Sequence, residues 1–440
     1  MNIFNTEKEL LDYTKNIRNK TFKELDKLDL LSKKSKDKGI LGKIVETGFY
    51  NYPLNNNPSA DFENLGIELK VAGLQENKNH TLKAKERLVL SKIDYNNIVN
   101  ENFEFSKLLF KNKKLLIIWY EYDKNKTYAD FIIRDFQLYD MSIDEDVFRN
   151  DFYIIKKKVV DGEAHLLSEG DTSYLGACTK GAKGTDRVSQ PNSNIPAKPR
   201  AFSLKNSYMT GVLRSYGLTK KSTEFNTIEE YLTSKLSSYF RLTQKQIWSK
   251  LGFDIPSIIP KNFNKMISDK LIGKDSDLKE KHELFNKTTY IIKNIPVDEN
   301  YNPIERLSFR NLILSEFTSS WEDSDWANYF EEVTIILICY DGKGKKNGDR
   351  ILKGIKKITF SDKDLELFKK SYLMVQSAII NNDISILPYP KHSTEDKLDN
   401  PLVIAPKGKK GDNAYDNFFE KDTTKVCFML EKEFIYNKLK

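Results

Sequence analysis

The sequence predicts an α/β protein made of two diverged copies of one module, each a mixed central sheet flanked by helices. Two near-continuous apolar runs, LLIIWYEYD ending at Asp123 and VTIILICYD ending at Asp341, read as central strands. The triplet Glu86-Arg87-Leu88 precedes the first run and Glu305-Arg306-Leu307 the second, about 219 positions apart. The loop Thr179 to Gly184 is echoed by Pro406 to Gly411, and after each loop comes matching apolar spacing: Phe202, Leu204, Tyr208, Leu213, then Phe428, Leu430, Phe434, Leu439. Four landmarks in one order mark an internal repeat. The expected domains are residues 1–218 and 219–440, joined by a linker within 215–227.

Along the first copy, residues 7–27 carry apolar side chains at helical spacing, one or two amphipathic helices. Residues 33–38 are a basic connector, and 39–49 a second short helix. Pro53, Pro58 and an Asn run make 51–59 a loop. Residues 66–72 alternate as a strand that should end at Gly73, and 114–122 give the strongest strand signal in the chain.

A length of 440 residues exceeds one ordinary core, so two or three domains are expected. The net charge of +8 is a mild bias toward polyanions. Cys178, Cys339 and Cys427 form no CxxC pair and the four histidines are scattered, which disfavours zinc ribbons, disulfide scaffolds and histidine triads. No apolar run reaches the roughly 20 residues of a membrane helix, and no hydrophobic signal core opens the chain. A cytoplasmic protein without membrane association is expected.

The chemistry concentrates in Asp61 to Lys70. On a strand, Glu68 and Lys70 project to one face because side chains alternate with period two. Asp61 can reach that face from the preceding loop. Ile67, Leu69 and Val71 then turn to the core, leaving the charged pair on the opposite face. Two carboxylates are hard oxygen ligands for Mg²⁺ and leave positions for water and a phosphate oxygen. A lysine beside them can hold the attacking water or offset charge on the phosphorus. This acid, acid-x-lysine pattern fits the PD-(D/E)XK nuclease arrangement.

The stretch Lys38-Gly39-Ile40-Leu41-Gly42, Val45-Glu46, Asp61-Phe62, Leu65 to Lys70 resembles the MutH family of mismatch-repair nicking endonucleases and GATC-cleaving restriction enzymes. Glu169 to Gly181 and Arg200 to Lys205 resemble the Sau-type restriction branch, whose members carry a second, catalytically silent MutH-like module. The resemblance implies Asp61 and Glu68 as Mg²⁺ ligands, Lys70 as catalytic lysine, Glu46 as accessory acid and Lys111 as a helper at the phosphate. It implies DNA contacts from Lys180, Lys183 and Lys205, and from Lys407 and Lys410 in the second copy. Cys178 and Ser203 stand where the repair protein has arginine and tyrosine, a departure in the recognition segment.

In the second copy the strand matching Ile67 to Lys70 should be Tyr290-Ile291-Ile292-Lys293, with Ile291 in place of Glu68. Leu284 falls at the aspartate position, one residue from Glu283, and Tyr329 falls at that of Lys111. The expectation is a type II restriction endonuclease making Mg²⁺-dependent double-strand cuts at GATC and leaving 5′-phosphates. Its second half would be a DNA-binding or allosteric module. Two chains would meet on DNA, and a cognate methyltransferase would belong to the same system without binding it. The alternatives are a MutH-type nicking enzyme and a non-catalytic sequence-specific DNA-binding protein.

Overall fold

The computed structural model describes residues 3–33, 39–54, 59–76, 81–180, 185–214, 225–273, 283–407 and 414–440. They form two compact units. The first comprises Met1–Leu167, Asp171–Glu224 and Asn286–Thr288; the second comprises Ser168–Gly170, Phe225–Phe285 and Thr289–Lys440.

The strands of the first unit are β1 (Ile67–Glu76), β2 (Leu82–Ala84), β3 (Leu88–Lys92), β4 (Lys114–Glu121), β5 (Ile133–Asp140), β6 (Leu175–Thr179), β7 (Val188–Gln190), β8 (Ser193–Ala197) and β9 (Arg200–Leu204). The main sheet runs β2-β1-β4-β5, parallel between β1 and β4 and antiparallel elsewhere. β4 is central, and its run from Leu115 to Tyr120 is buried throughout, as a strand covered on both faces must be. β1 does not stop at Gly73. A Cβ there would lie 3.0 Å from Lys85 Cβ and from the Tyr120 ring, so the glycine admits a close neighbour within the strand.

The N-terminal amphipathic segment is broken into short helices. Thr6 and Thr21 each open a helix with a capping box, closed by Glu9 and Glu24. Between them Asn19 adopts a left-handed φ of 64°. The helix Ile40–Ile44 continues as a π-helical turn, Val45–Phe49. This turn approaches the chain at Leu25 so closely that a Cβ on Gly48 would fall 1.7 Å from the Leu25 carbonyl oxygen.

A second sheet runs β3-β9-β6. Its outer strand is held by Asp151 on the helix Glu145–Val160. The buried carboxylate accepts N–H groups from Ser173 (2.8 Å), Tyr174 (2.7 Å) and Leu175 (2.9 Å).

In the second unit the strands are β10 (Tyr290–Val297), β11 (Leu307–Ile313), β12 (Thr334–Asp341), β13 (Ile351–Ile358), β14 (Leu402–Pro406) and β15 (Thr423–Leu430). Its sheets are β10-β12-β13 and β11-β15-β14. Their pairing senses match those of β1-β4-β5 and β3-β9-β6. Leu88 and Leu175 both pair with Leu204; Leu307 and Leu402 both pair with Leu430. The β4–β5 ladder is irregular at Trp119/Tyr120 and the β12–β13 ladder at Cys339/Tyr340. The correspondence reaches the start of each unit. Thr227 and Thr243 carry capping boxes, with Arg241 left-handed at φ 69° between them. Thr21 bridges Ile132 as Thr243 bridges Ile351.

Candidate active site

Asp61 and Glu68 meet because the chain turns sharply between them. Glu63–Leu65 form one 3₁₀ turn, Gly66 takes a left-handed φ of 63°, and Phe62 bridges back to Ile67. Asp61 therefore lies beside the first residues of β1. Its N–H donates to Glu68 Oε2 at 3.3 Å, and its Oδ2 accepts the Leu69 N–H at 2.9 Å. Lys70 Nζ donates to Glu68 Oε1 at 2.8 Å, and Lys111 Nζ stands 3.4 Å from the same oxygen. Lys111 comes from the helix Lys107–Asn112, which packs against β1. That helix covers the charged face of β1, so Glu68 is only 3% exposed.

Glu46, on the π-helical turn, completes the cluster. Burial pushes its carboxyl up to about 7, and the charges of Asp61 and then Glu68 add to the shift. Asp61 is pushed up to about 6, again first by burial and next by Glu68, against the pull of the Leu69 N–H and Lys70. Burial together with neighbouring carboxylates disfavours ionisation, and carboxyls perturbed in this way concentrate at functional sites.

A group of rings fixes the two acidic turns. Tyr50 and Tyr52 follow the Glu46 turn, and Phe62 follows Asp61. Phe62 packs edge-on to Tyr50 at 5.0 Å and to Tyr52 at 5.4 Å. Tyr52 N–H donates to the Glu46 carbonyl at 2.9 Å. The prolines and asparagines of 51–59 mark a loop but not this packing role of Tyr52. The aromatic density at 49, 50, 52 and 62 was the available signal.

Comparison with known proteins comes down on the same residues. The family model for the DNA mismatch repair enzyme MutH matches residues 50–151, which include Asp61, Glu68, Lys70 and Lys111 but not Glu46. The type II restriction enzyme Sau3AI of Staphylococcus aureus is 32% identical over 330 residues. The chain carries a MutH-like domain. The match to Sau3AI covers 69% of this chain and 66% of that enzyme, a little under two thirds of its length. A MutH-like domain implies the PD-(D/E)XK fold, and the mixed sheet around β1 and β4 is the part that carries the site.

The donor set suits a hard cation. Among the described residues no three His, Cys, Asp or Glu side chains form a ready metal cage. Mg²⁺ does not require one, since it is commonly held by one or two carboxylates, waters and substrate phosphate. Asp61 and Glu46 are raised first by burial and next by neighbouring carboxylates, and a bound cation would relieve that second effect.

The expected DNA-reading lysines fare differently from this MutH-like centre. Lys180 is exposed, its N–H donating to the Pro199 carbonyl at 2.7 Å. Lys407 is exposed, its ammonium donating to the Phe309 carbonyl at 2.7 Å. Lys183 and Lys410 lie outside the described residues. Lys205 is a correction: it is 2% exposed, its ammonium donates to the Thr172 carbonyl, and its charge acts on Asp151. It holds the 172–175 turn from within rather than facing a groove. Cys178 and Ser203 are also buried.

In the second unit, Ile291 pairs with the second residue of β12, as Glu68 pairs with the second residue of β4. The side chains of Glu283 and Leu284 are outside the described residues. Tyr329 is packed against the hydrophobic core. Counting back from the paired strands, the residue matching Lys111 is Glu331 rather than Tyr329, because the strands align two positions from the earlier landmark.

Proposed function

We propose that this chain is a type II restriction endonuclease that makes Mg²⁺-dependent double-strand cuts in DNA at GATC, leaving 5′-phosphates. The observation that carries the reading is the cluster of Asp61, Glu68, Lys70 and Lys111, with Glu46 beside it. A bound Mg²⁺ would supply Lewis-acid stabilisation of the phosphate and an activated water. Asp61 and Glu68 would hold it, and Glu46 would add negative charge beside them. Lys70, released from Glu68, would orient the water for in-line attack. Lys111, on the same side, would offset charge on the scissile phosphate.

The matching strand orders and capping boxes of the two units support two diverged copies of one module, active over 1–218 and silent over 219–440. Ile291 offers no oxygen donor, so the second copy would bind or sense DNA through its Lys407 loop. One cutting site serves one strand, so two chains would meet on DNA. Much of the affinity should come from phosphates and fall steeply with salt. Lys180 and the neighbouring loop would contribute base-edge contacts. The setting would be the cytoplasm, beside a methyltransferase of the same specificity.

The test is a digest of methylation-free plasmid with Mg²⁺ and end mapping. Discrete GATC fragments with 5′-phosphates are expected. A smear or intact plasmid refutes the reading, and open circles without linear DNA point to a nicking enzyme instead.

A further inference from the structure

Resting on the nuclease reading, we infer that the helix Lys107–Asn112 is a DNA-contacting surface in which Phe110 packs on the duplex beside the cut phosphate. The helix has two faces with different uses. Leu108 and Asn112 are buried, and Lys111 points into the catalytic cluster. The exposed stripe, opposite Leu108 and Asn112, carries Lys107, Phe110 and Lys113 at spacing three, which brings them side by side, and Lys107 also adjoins Lys111 at spacing four. All three are exposed; Phe110 is 71% exposed and Phe105, just before the helix, 89%.

Single exposed apolar side chains are ordinary, but two bare phenyl rings within six residues of a catalytic lysine are not. Their surroundings select the partner. Neither the Lys107 nor the Lys113 ammonium has a carboxylate partner among the described residues. The nearby acids are engaged elsewhere: Glu104 pairs with Arg149 at 2.7 Å, and Glu101 accepts the Lys107 N–H at 3.3 Å. A stripe of cation, ring, cation fits a polyanion that also offers apolar surface. Nucleic acid does so through phosphates flanking deoxyribose and base edges. Because Lys107 neighbours Lys111 on the helix surface, the stripe borders the catalytic cluster, and DNA whose phosphate reaches Glu68 and Lys70 lies within its reach. Phe110 then acts as a binding and register element, and Lys107 and Lys113 as phosphate contacts.

The test is equilibrium binding of the full chain, in Ca²⁺, to a labelled duplex holding one GATC. Phe110→Ala should weaken binding about tenfold, the loss expected when a phenyl buried against the duplex is truncated, with an unchanged melting temperature. Lys107→Ala with Lys113→Ala should lower the slope of log affinity on log salt by about two. Phe110→Trp should retain binding and report it. The native tryptophans are at most 7% exposed, so a new exposed indole dominates any DNA-induced change in emission. Wild-type affinity in Phe110→Ala, or Phe110→Trp emission indifferent to DNA, overturns the inference while leaving the nuclease reading intact. A wild-type chain that binds no duplex overturns both.

Discussion

Replacing Asp61 with Asn should make the metal-free protein more stable at pH 8 while abolishing cleavage. The Asp61 carboxyl is raised from 3.8 to about 6 by burial and by Glu68. A raised carboxyl means the folded state holds a proton that the unfolded chain has already lost. Stability is therefore highest below the unfolded pKa and declines as pH rises through the window from 3.8 to about 6. Glu46 extends the decline from 4.5 to about 7. At 1.36 kcal/mol per pKa unit, the Asp61 shift has a ceiling of about 3 kcal/mol. Asp61 shares its repulsion with Glu68 and the site is part-hydrated, so about half of that, roughly 1.5 kcal/mol, should be recovered. Asn keeps an oxygen for the Leu69 N–H, so little else is lost. The gain corresponds to a melting shift of about 3–6 °C for a unit of this size. The assay is calorimetric melting in EDTA at pH 8 and at pH 3.5. The gain should be present at pH 8 and largely absent at pH 3.5, where the wild-type carboxyl is mostly protonated in both states. An Asn variant that is less stable at pH 8, or whose difference from wild type does not change with pH, would refute the charge-crowding account.

Glu68→Ala or Lys70→Ala should cut single-turnover plasmid cleavage by roughly a thousandfold or more, with duplex affinity in Ca²⁺ changed only a few-fold; cleavage by both variants would sink the site assignment. Asp151→Ala removes the acceptor of three backbone N–H groups and should cost about 3–5 kcal/mol in urea unfolding, releasing the start of β6. Gly48→Ala drives a methyl into the Leu25 carbonyl and should cost about 1–3 kcal/mol or more, read as a lower urea midpoint. Divalent ion should raise the wild-type melting temperature at pH 8 more than at pH 5, because Asp61 and Glu46 bind protons in competition with it at the lower pH; equal shifts would contradict that linkage.

Much of the site was legible in the sequence because it is local. Glu68 and Lys70 share a face through strand period two, and a short turn with one left-handed glycine returns Asp61 to them. The apolar runs marked β4 and β12 because a central strand buries both faces. Gly73 misled, since its role is a close approach to Tyr120 and Lys85 across the sheet, which chain position alone does not reveal. Lys205 misled in the same way: a lysine beside a recognition segment reads as exposed until Asp151, far away in sequence, is seen to need its charge. Burial of Glu68, the raised carboxyls of Glu46 and Asp61, and the ring contacts that join their two turns exist only after folding. They depend on which helix covers which face of β1. The sequence by itself determined the acids, the lysines, their spacing and the repeated strand pattern, because those follow from backbone periodicity. The tertiary structure alone decided which charges are brought together, which lysines are spent inside the fold and which rings stay exposed, because desolvation and Coulomb energy depend on distance in space rather than along the chain.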